Sequence, residues 1–208
     1  MYSRFDSAAK EWDNKPGRME MAQKFADVVL KSIKRRSHKT ALDFGCGTGN
    51  VSFYLQDKFI SINLADSSQG MLDMVREKTE KAGIDHFKPL LIDIEKKEHK
   101  GKYDVIYSLM ALHHVRNVPK VISSLGKMLN KNGILIIGDL EKEDGNFHQY
   151  PENLDVHYGF EKKKLERILI ENNFEVHDYG IFHELIREHT GTPVTYPLFF
   201  ITAKLSYQ

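Results

Sequence analysis

Apolar residues recur along the chain in two alternating patterns, short unbroken runs and longer stretches at helical spacing. The short runs predict buried strands at Thr40–Phe44, Ile60–Ala65, Lys88–Ile92, Tyr103–Leu109 and Gly133–Gly138. The amphipathic stretches between them predict helices at Asn50–Lys58, Ser68–Ala82 and Val118–Leu129. Strands that alternate with helices predict right-handed crossovers and a parallel sheet with helices on both faces.

The pattern changes at the two ends of the chain. Ala22–Ile33 has helical spacing before the first strand, and Glu161–Asn172 predicts a charged helix after the fifth. Phe174–His183 and Tyr196–Leu205 are strand-like runs with no room for a crossover helix, so we expect an antiparallel hairpin at the sheet edge. The predicted fold is an α/β, doubly wound sheet of seven strands, mostly parallel with an antiparallel last strand. Leu140–Phe160 has no clear period, which is typical of a binding loop.

Composition excludes several classes of protein. The 208 residues are 41% hydrophobic and 28% charged, as expected for one domain with a buried core. The net charge of +1 argues against an extended nucleic-acid interface, and the end of a helix explains the basic cluster Lys34–Lys39 better than RNA binding does. A single cysteine excludes a thiolate zinc site, and no metal site is predicted. Without a signal peptide or a membrane-length apolar run, a cytoplasmic protein that does not bind membranes is expected.

The most informative stretch follows the first strand, where Asp43 precedes three alternating glycines, Gly45, Gly47 and Gly49. Ligands bind at the carboxyl ends of the strands in an open α/β sheet, and glycine lets a ligand lie against the backbone. The dinucleotide fingerprint needs a small residue where Asn50 stands, and the Asp43 carboxylate would repel a pyrophosphate. No Gly-Lys-Ser or Gly-Lys-Thr closes the loop, which excludes a P-loop. The pattern favours a cationic ligand.

The sequence from about Thr40 to Gly138 resembles the class I S-adenosylmethionine (SAM)-dependent methyltransferases, whose first motif reads acidic-x-Gly-x-Gly-x-Gly. The resemblance implies a Rossmann-like fold with SAM as cofactor and S-adenosylhomocysteine as product. In that family the glycine loop lies against the methionine part of SAM, which implies contacts from Asp43, Gly45, Cys46, Gly47 and Gly49. The charges agree, because SAM carries a sulfonium and an ammonium and has no phosphate.

Two further carboxylates follow predicted strands. Asp66 stands where a carboxylate can accept hydrogen bonds from both ribose hydroxyls, although Asp66 can also cap the next helix, as can Ser67 or Ser68. Asp93 matches the family residue that accepts a hydrogen bond from the adenine amino group, with Ile94 beside the ring. Ser108 belongs to the segment that borders the transferred methyl group in many family members that act on small molecules.

Histidines are the candidates for proton removal, which methyl transfer needs when the acceptor is a hydroxyl or an ammonium. His113 and His114 point to different sides of the backbone, and we expect His113 to face the pocket. His148 is a second candidate in the loop after the fifth strand, which also carries Asp139 and Glu141. A solvated loop explains these three residues as well.

These features predict an enzyme that transfers a methyl group to an O, N or S atom of a small-molecule acceptor, as a monomer or homodimer. The motifs typical of enzymes that methylate DNA bases, Asn/Asp-Pro-Pro-Tyr/Phe and Pro-Cys, are absent, so DNA is not expected as a substrate. We expect a single domain, 1–208, with a helical cap segment at 1–39, a cofactor-binding core at 40–139 and an acceptor-side region at 140–208. Two alternatives stay open: an NAD-dependent oxidoreductase of similar fold, and a non-catalytic SAM-binding regulatory protein.

Overall fold

A computed structural model describes residues 2–33, 40–148, 157–189 and 192–206. Within these ranges the helices are α1 (Tyr2–Ala8), α2 (Arg18–Ser32), α3 (Asn50–Tyr54), α4 (Gln69–Ala82), α5 (Val118–Met128) and α6 (Lys162–Glu171). The strands are β1 (Thr40–Phe44), β2 (Ser61–Asp66), β3 (Phe87–Leu91), β4 (Tyr103–Leu109), β5 (Leu129–Leu140), β6 (Phe174–His189) and β7 (Thr192–Leu205). The predicted basic cluster Lys34–Lys39 lies outside the described residues.

All seven strands form one sheet in the order β3-β2-β1-β4-β5-β7-β6. Strands β1 to β5 pair in parallel, and β7 runs antiparallel to both β5 and β6. The prediction of a doubly wound sheet, mostly parallel with an antiparallel last strand, is confirmed. The strand order reverses at β1, since the chain continues to β2 on one side and later returns to β4 on the other. A ligand crevice is expected at this reversal.

Helices cover both faces of the sheet because side chains alternate along each buried strand. On β5, Ile134 and Ile136 pack against α2 and α3, whereas Leu135 and Ile137 pack in the core that contains α5 and α6. Helix α4 joins the first of these cores through Val75. Apolar side chains are therefore buried on both faces of the sheet, and a third, smaller apolar cluster lies outside these two cores.

The ends of several elements differ from the prediction. The hairpin strands reach His189 and begin at Thr192, since main-chain pairing continues where side chains such as Ile186 are exposed and the apolar pattern fades. Strand β5 begins at Leu129, which pairs with Tyr103 of β4. Helix α3 ends at Tyr54 and is followed by a short 3₁₀ turn. Pattern reasoning is weakest at such boundaries.

The loop after β5 has neither helix nor strand in its described parts, 141–148 and 157–161, apart from one isolated bridge between Glu141 and Phe160. This agrees with the absence of a period in the sequence. Among the helices that the structure describes, none combines the length and the apolar character needed to cross a membrane.

Two neighbours on α6 provide a test of the packing. Leu169 is fully buried, whereas Ile170 is 63% exposed. We expect Leu169→Ala to lower the free energy of unfolding by about 2–5 kcal/mol, because it leaves a cavity in the core. Ile170→Ala is the matched control on the same helix and should change it by about 0.5 kcal/mol or less. Urea denaturation measures both, and equal losses would contradict this placement of α6.

Candidate functional site

The glycine loop turns sharply at the carboxyl end of β1. Gly45, Gly47 and Gly49 adopt left-handed φ angles of 70°, 54° and 83°. A Cβ atom on Gly45 would lie 2.3 Å from Cβ of Ala111, which follows β4. The loop therefore lies too close to the end of β4 for any amino acid except glycine at position 45. The backbone N–H groups of Gly45 and Cys46 both donate to the Ala65 carbonyl, at 2.8 and 3.0 Å. The loop is thus held against both neighbouring strands.

A cavity of about 520 Å³ opens at this point, a volume within the usual range for small-molecule sites. Its lining contains most of the residues that the sequence predicted for cofactor binding: Asp43, Gly45, Cys46, Gly47, Asp66, Ser67, Asp93 and Ile94. Three different strand ends contribute these residues, as expected for a parallel sheet. Whether they bind a cofactor stays a prediction.

Asp43 lines the cavity and is only 2% exposed. Ser52 donates a hydrogen bond of 2.7 Å to its Oδ2 atom. Burial raises the pKa of Asp43 to about 7, and the negative charge of Asp66 adds to this effect, whereas the Ser52 hydrogen bond opposes it. The site therefore holds a carboxylate whose charge would be stabilised by a cation.

Asp66 and Asp93 carry the other two carboxylates of the cavity. Asp66 accepts hydrogen bonds of 2.9 Å from the backbone of Gly47 and of Ser68, and burial raises its pKa. It therefore ties the glycine loop to the start of α4. Asp93 accepts from the backbone of Glu95 and lies 2.9 Å from the Lys96 ammonium. Both carboxylates face the cavity in the order that the sequence predicted.

Two predicted residues lie behind the cavity instead of lining it. Gly49 caps the start of α3, where a Cβ atom would lie 2.9 Å from Leu64. The Ser108 hydroxyl is buried and donates to the Phe44 carbonyl at 2.9 Å. These two residues are not part of the cavity lining, and their contribution to cofactor binding stays a prediction.

The histidines are arranged differently from the prediction. His114, and not His113, is among the residues that line the cavity. His113 is 1% exposed and its Nδ1 lies 2.6 Å from Oδ1 of Asp139, at the end of β5. The short 3₁₀ turn after β4 directs His113 towards β5 and His114 towards the cavity. His148 does not line the cavity, but its ring centroid lies 5.5 Å from that of His114.

Sequence reasoning missed the residues that cover the cavity from the N-terminal side. Phe5, Trp12 and Arg18 line it, and the Arg18 guanidinium lies 3.4 Å from the centroid of the Trp12 ring. The only signal was the single tryptophan of the chain, in a charged segment without helical period. A tryptophan before the first helix that the sequence predicts is a weak indication taken alone.

Two aspartates attach this cover to the cofactor loops. Asp13 accepts hydrogen bonds from Thr48, Asn50 and Lys78, at 2.5 to 2.9 Å. Asp6 accepts from the Ser68 hydroxyl at 2.6 Å and from the Gly70 backbone at 2.9 Å. The N-terminal segment is therefore bonded to α3 and α4 at the rim of the cavity.

A family model described as "Methyltransferase domain" matches residues 18–179, most of the chain. The chain belongs to this methyltransferase family. Membership of a methyltransferase family argues against the NAD-dependent alternative. In structure the methyltransferase resembles the N-methyltransferase NodS of Bradyrhizobium japonicum in complex with S-adenosylhomocysteine, with a TM-score of 0.74 at 13% identity over 99% of this chain and 98% of that one. At such low identity the likeness concerns the fold.

Curated relatives match shorter parts of the methyltransferase. An uncharacterized methyltransferase of Schizosaccharomyces pombe is 31% identical over 57% of this chain and 45% of its own length. A ubiquinone biosynthesis O-methyltransferase of Rickettsia bellii is 26% identical over 67% of this chain and 61% of its own. The chain thus spans roughly half the length of the curated relatives it matches.

The burial of Asp43 predicts a pH dependence of SAM affinity. The cationic cofactor favours the ionised carboxylate and lowers its pKa, so protons compete with SAM below the free-state pKa of about 7. Affinity should be constant above that pH and fall by up to about tenfold per pH unit below it. Titration calorimetry between about pH 5.5 and 8.5 measures this. The Asp43→Asn variant should bind SAM more weakly, and its SAM affinity should no longer depend on pH in this range. The same pH profile in the variant as in the wild type would exclude Asp43 as the source of the pH dependence.

The close approach at Gly45 is tested by comparison with Gly83, which also has a positive φ. Among the described residues, no heavy atom lies within 4 Å of the position that a Cβ atom on Gly83 would take. Gly83→Ala should lower the free energy of unfolding by about 1–2 kcal/mol, the cost of the backbone conformation alone. Gly45→Ala should lower it further and weaken SAM binding, because its Cβ collides with Ala111. Urea denaturation compares the two variants, and equal losses would contradict the close approach.

Proposed function

We propose that this chain is a SAM-dependent methyltransferase that methylates an O, N or S nucleophile of a small-molecule acceptor. The observation that carries the proposal is the cavity itself, in which the glycine loop and three carboxylates face an aromatic cover. A covered cavity suits a small acceptor better than a polymer. The relatives named as N-methyltransferase and O-methyltransferase support this class of reaction.

The residues of the cavity fit SAM. The turn at Gly45 and Gly47 exposes backbone without Cβ atoms, which suits the methionine part with Asp43 and Cys46 beside it. We assign Asp66, with Ser67, to the ribose hydroxyls, and Asp93, with Ile94, to the adenine. SAM supplies a methyl group activated on a sulfonium when it is bound.

The protein has to align the acceptor and exclude water, and the cover provides for both. Phe5 packs edge-on against His114, with ring centroids 5.2 Å apart, and Trp12 lines the cavity next to Gly47 of the glycine loop. Met110 lines the cavity in a left-handed conformation, φ 53°, which directs the chain after β4 around the site. Accordingly, we assign 1–39 as the cap, 40–139 as the cofactor core and 140–208 as the acceptor side.

A neutral imidazole faces this acceptor position. Burial, together with the charges of neighbouring residues such as His113, lowers the pKa of His114 to about 2. The ring therefore offers a lone pair but holds an abstracted proton poorly at neutral pH. A histidine that takes a proton from the acceptor at neutral pH would need a higher pKa than that of His114. His113 and His148 are the candidates that the sequence predicted for this role.

The first experiment is a calorimetric titration of the protein with SAM, S-adenosylhomocysteine and NAD in parallel. We expect micromolar binding of the first two, about −8 kcal/mol, and none of NAD. A screen of amine, hydroxyl and thiol acceptors then measures methyl transfer. Tight SAM binding without transfer to any acceptor would favour the non-catalytic alternative, and NAD binding without SAM binding would refute the proposal.

Asp66→Ala tests the assignment of the ribose site. Loss of a charged acceptor should weaken SAM binding by about 1–3 kcal/mol, measured in the same titration. Asp85→Ala removes a carboxylate that is fully exposed and lies outside the cavity lining, so its affinity should equal that of the wild type. Unchanged affinity in Asp66→Ala would remove this residue from the site.

A further inference from the structure

Three histidines meet beside the cofactor cavity, two from the turn after β4 and one from the loop after β5. Ring centroids of His113 and His114 are 4.1 Å apart, and His148 lies 5.3 and 5.5 Å from them. One ring nitrogen from each lies within 4.8 Å of the other two. Because the sequence separates His148 from the pair by more than thirty residues, only the fold brings them together.

The free nitrogens of this cluster have no partner. Among the described residues, the buried side-chain nitrogens without a hydrogen bond are Nε2 of His113, Nδ1 of His114 and Nε2 of His148. Buried polar atoms are rarely left unpaired, because each one costs free energy. Three such atoms at one point indicate a ligand that accepts lone pairs from all of them.

Asp139 orients the first histidine for this task. Its Oδ1 lies 2.6 Å from Nδ1 of His113, and Asp139 is fully buried. A carboxylate accepts the hydrogen bond, so in the neutral ring Nδ1 carries the proton and Nε2 presents its lone pair to the cluster. Carboxylate–histidine pairs of this kind hold the histidine ligands of metal sites.

We propose that His113, His114 and His148 bind a divalent transition metal ion of the zinc type, with Asp139 orienting His113. Three imidazoles suit zinc and similar ions, and three protein ligands leave a fourth position open. At a metal–nitrogen distance of about 2.0–2.1 Å the nitrogens stand about 3.4 Å apart, so small rotations of the half-buried His114 and His148 rings complete the site.

The open coordination position of the metal ion can bind the acceptor. His114 lines the cavity, so a metal held by this residue borders the space in which the acceptor would lie. There it binds an oxygen, nitrogen or sulfur atom of the acceptor and favours its deprotonated form, which the neutral histidines do poorly. This role rests on the proposed function, whereas metal binding by the three histidines does not.

Metal binding is measured on protein stripped with a chelator and without SAM. Calorimetric titration with Zn²⁺ should show one saturable equivalent, and Co²⁺ should give the visible absorption of a four-coordinate site. His148→Ala and His148→Gln should each lower the Zn²⁺ affinity by about 100-fold, and Asp139→Asn by about 10–100-fold. His177→Ala, which removes an exposed histidine of β6, is the control and should leave the affinity within about twofold.

Urea denaturation of the same samples checks that each variant is folded. The proposal is overturned if the wild type binds no saturable equivalent of Zn²⁺, or if both His148 variants unfold cooperatively and keep the wild-type Zn²⁺ affinity. Because the metal titration contains no cofactor and the SAM titration no metal, failure of one proposal leaves the other standing. Once Zn²⁺ binding is established, methyl transfer with and without the ion tests the role of the open position.

Discussion

The site depends on the crevice between β1 and β4, two adjacent parallel strands whose connections leave in opposite directions. From β1 the chain continues to β2, and from β4 it continues to β5, so the strand order reverses between them. The crevice is narrow, because Gly45 touches Ala111 so closely that a Cβ atom has no room. The hydrogen bonds from Gly45 and Cys46 to Ala65 hold this geometry. The positions of the other residues that line the cavity depend on this turn at Gly45.

Around the turn, buried negative charge links the parts of the site. Asp43 and Asp66 lie close enough for the charge of Asp66 to raise the pKa of Asp43, and both carboxylates favour a cation in the crevice. Outside it, Asp6 and Asp13 bind the N-terminal segment to the loops that start α3 and α4. Aspartates thus both line the cavity and attach the N-terminal segment that covers it.

The sequence correctly predicted the location of those side chains whose surroundings follow from their position in a strand. Asp66 and Asp93 follow β2 and β3, so their approach to the cavity follows from the register of a parallel sheet. It failed for His113, because the 3₁₀ turn after β4 rotates this residue towards Asp139 and leaves His114 to the cavity. A turn of three residues carries no periodic pattern from which that rotation can be read.

By itself, the sequence determined the doubly wound sheet, the glycine loop and the carboxylates at the strand ends, since these follow from local periodicity and from the few residues that tolerate a sharp turn. Only the tertiary structure decided which N-terminal residues cover the site, and that His148 joins His113 and His114. Such contacts join segments far apart in the chain. They depend on packing between elements, and no spacing within one element encodes them.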